Sequence, residues 1–317
     1  MAGNGRGIFR NRKVGVILGG PSAEREISRT SGREVVKALR MKGYRVTPIE
    51  VREDLAMRLR KQKVGVVFNA LHGKLGEDGG VQGLLEVMGI PYTGSGVTAS
   101  ALSMDKVLAK ELFMRKGIPT PPYKVWTKGQ RSKNVGLPLP LVVKPRSEGS
   151  TLGVTIVQHR KELIRAFAKA LKFDPTCLVE KYIPGREVAV GILNGRALGA
   201  IEIQPKKGFY DFNTKYTPGL AKHFYPARLG SQVYRQALRI AEEASAVLGC
   251  EGTPRVDMRV NARGKIYVLE VNSLPGLTPM SLLPEIAKGE GIDFPDLVEL
   301  ILDGARLRTM VKRSSVR

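Results

Sequence analysis

Asp257 and Glu270 carry oxygen donors on two short apolar runs, residues 255–260 and 265–271, and Asn272 directly follows the second. Between the runs lies a polar glycine turn, Asn261 to Gly264, which predicts a hairpin. Glu270 and Asn272 are two apart and share one face of their strand. A carboxylate next to the apolar run Ile266–Leu269 is costly to bury unless it is paired or bound to metal. Two carboxylates and an amide oxygen are hard ligands suited to magnesium, which keeps other positions for phosphate oxygens and water. A strand whose polar residues face solvent fits the same pattern. Lys106, Lys144 and Lys215 are candidate phosphate donors. A lone lysine is usually a solvated side chain, but Lys144 ends the apolar run 139–144 just before the glycine-rich loop EGSTLG at 148–153. Backbone amides of such a loop can close over phosphates.

The elements that must position these groups divide the chain into three parts. In the first, apolar runs at 14–18, 44–51 and 64–69 alternate with helical patterns at 28–42 and around 84–88, which predicts a parallel sheet of βαβ units. Ligands of such sheets bind at the carboxyl ends of the strands, where Gly19-Gly20 and the loop after Val67 fall. The second part predicts a helix over 105–116, a stiff proline connection, strands at 139–144 and 154–157 forming a hairpin around the glycine loop, a helix over 163–171 and a strand at 177–181. The third predicts a hairpin turning at Asn194-Gly195, a helix over 232–248, the hairpin of Asp257 and Glu270, and a closing helix over 297–307. The expected boundaries are 1–105, 106–186 and 187–317.

Length, charge and the remaining motifs exclude several classes. The chain has 317 residues and 42% hydrophobic content, ordinary for a globular protein. No apolar run reaches the roughly 18 residues of a membrane helix, and the N-terminus has no apolar signal segment. Cys177 and Cys250 form neither a zinc site nor a disulfide framework, so buried free thiols in a reducing cytoplasm are expected. The net charge of +23 invites a nucleic-acid reading. Nine basic residues and no acid lie in the tails 1–13 and 306–317, and the rest are spread without long runs, which fits a solvated surface or anionic substrates better. Gly94 to Ala99 fits G-x-G-x-x-A but reads as a plain turn; no Walker loop, serine elbow or zinc-protease helix is present.

Seven segments in order resemble one family: GGPSAEREIS at 19–28, LHGKLGEDG at 71–79, YTGSG at 92–96, SMDK at 103–106, EGS at 148–150, FYDFNTKY at 209–216 and EVNSLPGLT at 270–278. Together they resemble the D-alanine–D-alanine ligases of the ATP-grasp class over residues 14 to 305. Departures are Thr151, where a second Ser is common, Leu277, where Met is common, and Thr253-Pro254 before Arg255. The tails lie outside the resemblance and are expected to be dispensable for catalysis.

The resemblance implies an α/β fold: an ATP-grasp body with an N-terminal Rossmann-like parallel domain. It implies that Lys106 and Lys144 hold ATP phosphates, that Glu180, Lys181 and Ile183 hold adenine, that Glu187 holds the ribose and that Phe209 packs beside the nucleotide. Asp257, Glu270 and Asn272 would bind two magnesium or manganese ions. Glu24 would hold the first D-alanine ammonium with His72 beside it. Arg255 and the Gly276 amide would stabilise an oxyanion, and Ser281 with Lys215 would bind the second carboxylate. Ser150 and Tyr216 would link Glu24 to a loop at about 205–225. The product would be D-alanyl-D-alanine for peptidoglycan, made in the cytoplasm by a homodimer. The alternatives are a D-alanine–D-lactate or D-alanine–D-serine ligase, with Tyr216 favouring the dipeptide, and a nucleic-acid-binding protein on an ATP-grasp body.

Overall fold

The computed structural model describes residues 7–130, 135–206, 217 and 219–308. These residues form two compact units. One comprises residues 7–101, 250–254 and 273–308, the other 102–249 and 255–272.

The first unit is built on β1 (Val14–Gly19), flanked by β2 (Val46–Val51) and β3 (Val66–Asn69), both parallel to it. Every residue of β1 and β3 is buried, as expected of parallel strands covered on both faces. α1 (Arg25–Met41) lays Val35, Val36, Ala38 and Leu39 against this sheet and stops before Gly43, which takes a φ of +83°. α2 (Leu55–Lys61) and α3 (Gly80–Met88) complete a core around Ile17, Ile49, Leu59, Val67, Leu85 and Tyr92. The last elements of the chain belong here too: α8 (Leu282–Gly289) and α9 (Phe294–Asp303), with α9 packed on α1.

Polar clasps hold α9 in place. The Tyr44 hydroxyl donates to buried Glu299 at 2.9 Å, Arg10 donates to the same carboxylate at 3.0 Å, and Lys42 pairs with Asp296. Asp303 accepts the backbone N–H groups of Gly7 and Ile8. Phe9 is buried. At the other end Arg308 lies over the Tyr92 ring at 4.4 Å, and both Arg306 and Arg308 pair with Glu251. The inner ends of both basic tails are thus docked, although the tails have little apolar content.

The second unit holds two antiparallel sheets. α4 (Val97–Met104) begins in the first unit; α5 (Lys106–Arg115) belongs to the second and starts on Asp105, whose carboxylate accepts the N–H groups of Val107 and Leu108. The first sheet has the order β4-β7-β5-β6, from β4 (Tyr123–Thr127), β5 (Leu141–Pro145), β6 (Thr155–Val157) and β7 (Thr176–Lys181), with α6 (Leu163–Ala170) on it. The second has the order β10-β9-β8-β11-β12, from β8 (Arg186–Leu193), β9 (Arg196–Pro205), β10 (Ala221–Phe224), β11 (Arg255–Val260) and β12 (Ile266–Asn272), with α7 (Ser231–Val247) on it. The Asn194-Gly195 hairpin and the 261–264 hairpin form as expected. The pairing of β5 with β6 makes the glycine loop a hairpin tip. Cys177 is buried, and burial pushes its thiol up to about 12; Cys250 is only half-buried, unlike the expected pair of buried thiols.

Candidate active site

In the second unit a cavity is walled by both sheets. β5, β6 and β7 supply Val142, Lys144, Ile156 and Glu180, and β8, β11 and β12 supply Glu187, Asp257, Leu269 and Glu270. Lys106 enters from the start of α5, and the 148–152 loop lies along the rim. Lys181 and Ile183 line the turn out of β7, so the expected phosphate and adenine residues surround one space. Ser150 and Thr151, at the loop tip, take positive φ values of +48° and +62°, a conformation that non-glycine residues rarely adopt.

Charge is concentrated under this cavity. Lys106 is buried; its Nζ donates to the Glu148 carbonyl at 2.5 Å and lies 3.4 Å from Glu270 Oε2. Glu180 is buried between two ammonium groups, with Lys144 Nζ 2.7 Å from one oxygen and Lys110 Nζ 2.5 Å from the other. Burial alone would raise the Glu180 carboxyl, but the two lysines outweigh it and hold it below the usual range. Burial pushes the Lys110 ammonium down to about 8, with Glu180 opposing the fall. Lys110 was missed in the sequence because a lysine reads as surface; the available signal was its place one turn after Lys106 on α5. Arg259 was missed as well. It donates to the Ile183 and Gly185 carbonyls and to Glu187, tying the exit of β7 to β11.

The expected metal residues come together on β11 and β12. Asp257 stands directly opposite Glu270, and Arg255 opposite Asn272. Asn272 Nδ2 donates to Asp257 Oδ2 at 3.0 Å, and Arg255 grips both Asp257 oxygens at 2.7 and 2.8 Å. A register shift after Asp257 leaves Leu269 unopposed, so Leu269 and Glu270 both face the cavity. The donor set is hard oxygen and fits magnesium or manganese in kind. Among the described residues no cluster of three His, Cys, Asp or Glu occurs, since the third donor here is an amide.

The first unit gathers a second group of expected residues. Glu24 is buried just ahead of α1. Gly73 takes a φ of +71°, which favours glycine, and its Cα lies close enough to Glu24 that a Cβ there would come within 2.9 Å of Oε2. Ser22 Oγ donates to the His72 carbonyl at 2.6 Å, and His72 Nε2 shares a hydrogen bond with Ser31 Oγ at 3.2 Å. Ser31 also accepts the Leu277 N–H at 3.3 Å, which joins His72 to the loop of Gly276. Ser281 Oγ accepts the Thr278 N–H, and a Cβ on Gly276 would meet that oxygen at 2.8 Å. Glu24, His72, Gly276 and Ser281 are thus linked through Ser22 and Ser31, two serines the sequence reading passed over. Phe209, Lys215 and Tyr216 lie outside the described residues.

Comparison with known proteins covers most of the chain. The family model "D-ala D-ala ligase C-terminus" matches residues 112–303, and "D-ala D-ala ligase N-terminus" matches 55–95. A D-alanine–D-alanine ligase of Geotalea uraniireducens is 52% identical over 302 residues, covering 95% of this chain and 97% of the relative. That of Geobacter sulfurreducens is 51% identical over 306 residues, covering 96% and 97%. The crystal structure of the Bacillus anthracis D-alanine–D-alanine ligase complexed with ATP superposes with a TM-score of 0.82 at 34% identity, covering 92% of this chain and 97% of that one. The chain belongs to the D-alanine–D-alanine ligase family.

Proposed function

We propose that the protein joins two D-alanines at the expense of ATP, forming ADP, phosphate and D-alanyl-D-alanine for peptidoglycan. The observation that carries this reading is the cavity of the second unit, which gathers Lys181, Tyr182 and Ile183 at the β7 exit with the cations Lys106 and Lys144 and the facing carboxylates Asp257 and Glu270. In this reading Glu180, Lys181 and Ile183 hold adenine, Glu187 the ribose, and Lys106, Lys144 and the 148–153 loop the phosphates. Two magnesium or manganese ions held by Asp257, Glu270 and Asn272 would neutralise charge on the phosphate oxygens.

The first D-alanine is held by its ammonium on Glu24, with His72 positioned by Ser31. Its carboxylate oxygen bonds to the γ-phosphorus as the bond to ADP breaks, giving an acyl phosphate. The neutral amine of the second D-alanine, its carboxylate on Ser281, then bonds to the acyl carbon; the amine loses a proton, and the C–O bond to phosphate breaks. Arg255 and the Gly276 N–H stabilise the oxyanion of that tetrahedral stage. No protein nucleophile is needed: the residues position, neutralise and exclude water. Phe209, Lys215, Tyr216 and Ser150 keep the roles that the resemblance implies, as do the division at 1–105, 106–186 and 187–317, the cytoplasmic setting and the homodimer. No helix among the described residues is long and apolar enough to cross a membrane.

Phosphate release from ATP, measured with D-alanine, D-lactate or D-serine added, tests the reading. D-alanine alone is expected to drive turnover to the dipeptide. Turnover that needs D-lactate or D-serine as second substrate assigns the other ligases, and no amino-acid-dependent release overturns the proposal.

A further inference from the structure

Lys110 is fully buried, yet it does not line the cavity that Lys144 lines. Its Nζ contacts one oxygen of Glu180 and donates to Thr120 Oγ1 at 2.5 Å; Thr120 in turn donates to the Val268 carbonyl on β12 at 2.8 Å. The ring of Tyr123 lies 5.5 Å away. Lys110 is therefore fixed from both sides. Lys144 holds the other oxygen of Glu180 from β5, one diagonal step away across the β5–β7 pair, and it faces open space.

A buried carboxylate tolerates the loss of one cationic partner only if another remains. With Lys144 as sole partner, any movement of that lysine toward an incoming phosphate would strand the Glu180 charge. We propose that Lys110 is a positioning residue for nucleotide phosphates: as the permanent counter-ion of Glu180, it frees Lys144 to exchange the carboxylate for phosphate. The inference rests on the reading of Lys144 as a phosphate ligand. It explains why one buried acid carries two lysines, and why the second is tied to Thr120 rather than to the cavity.

Calorimetric titration of the whole protein with ADP and with adenosine tests it, because the ratio of the two dissociation constants isolates the phosphate contribution. Lys110→Met is expected to cut the preference for ADP about tenfold, equal to about 1.4 kcal/mol, while adenosine affinity stays within about twofold. A merely structural loss weakens both ligands alike and leaves the ratio unchanged, which overturns the proposal. Adding Glu180→Gln to Lys110→Met removes the acid that competes for Lys144, so the ratio is expected to return to that of Glu180→Gln alone. A lower ratio in the double variant overturns the proposal, even where Lys110→Met by itself does not fold. Lys144→Met separates the two readings: an intact ratio there refutes Lys144 as the phosphate ligand, whereas a lost ratio there beside a normal one in Lys110→Met refutes only the role of Lys110.

Discussion

Arg255 grips Asp257 with two nitrogens while standing opposite Asn272, so one guanidinium sits within the proposed metal and oxyanion groups at once. An oxyanion donor acts where charge develops, and losing one typically costs about 10²–10³ in rate. Arg255→Ala is therefore expected to lower turnover far more than it weakens ATP binding, read from kcat and nucleotide titration on one preparation whose unfolding temperature is also measured. A large loss of stability with normal turnover would make Arg255 a structural partner of Asp257 only. Lys144, Asp257 and Glu270 stand out in the sequence because each ends or interrupts an apolar run, whereas Glu180, Lys181 and Glu187 were singled out only by the family resemblance. Lys110, Ser31 and Arg259 were singled out by neither, because nothing local distinguishes a lysine, serine or arginine that finds its partner on another element.

Helices and strands with long periodic patterns were read within a few residues of their ends; the shorter ones were missed for separate physical reasons. α2 has seven residues and β10 four, too few to show a period. β4 follows two prolines and reads as connection, yet it pairs along its length with β7. α8 contains Pro284, which looks like a breaker but sits in the first turn, where no intrahelical donor is lost. α5 carries a clearer consequence. Its Asp105 caps the helix and also holds Arg146 through two nitrogens, the nearest at 2.7 Å. Burial alone would raise this carboxyl, but Arg146 and the two N–H groups outweigh it and keep it below its ordinary 3.8. A folded-state value below the unfolded one contributes stability that is present above about pH 4 and lost as pH falls through the folded value. Asp105→Asn keeps the cap and removes the charge, so it is expected to cost about 1 kcal/mol at pH 7. Urea unfolding at pH 7 and near pH 3 checks this: the gap to the unmodified chain should shrink in acid, and a gap of equal size at both would remove the carboxylate's charge from the account.

The docked tails change what trimming the molecule should do. A chain cut to residues 14–305 loses the buried Phe9, the Arg10 bond to Glu299, the two N–H groups on Asp303 and the Arg308 contacts with Tyr92 and Glu251. It is expected to be less stable than a chain cut to 7–308 by about 2 kcal/mol or more, compared by thermal unfolding; equal midpoints would mean that these clasps contribute nothing. The three sheets were legible in outline because each is coded by a contiguous stretch. The return of residues 273–308 to the first unit was not, since an apolar helix face does not say what it will cover. That return also sets an order of manufacture. α1 is complete at residue 41, but α9, which packs on it and pairs with Tyr44 and Lys42, is finished only at residue 303. At ribosomal speeds of about 5–20 residues per second, the N-terminal helix waits roughly 10–50 s for its cover. The unit made of residues 102–249 and 255–272 is fully synthesised before that. The parallel sheet leaves the ribosome before either antiparallel sheet and is closed after both.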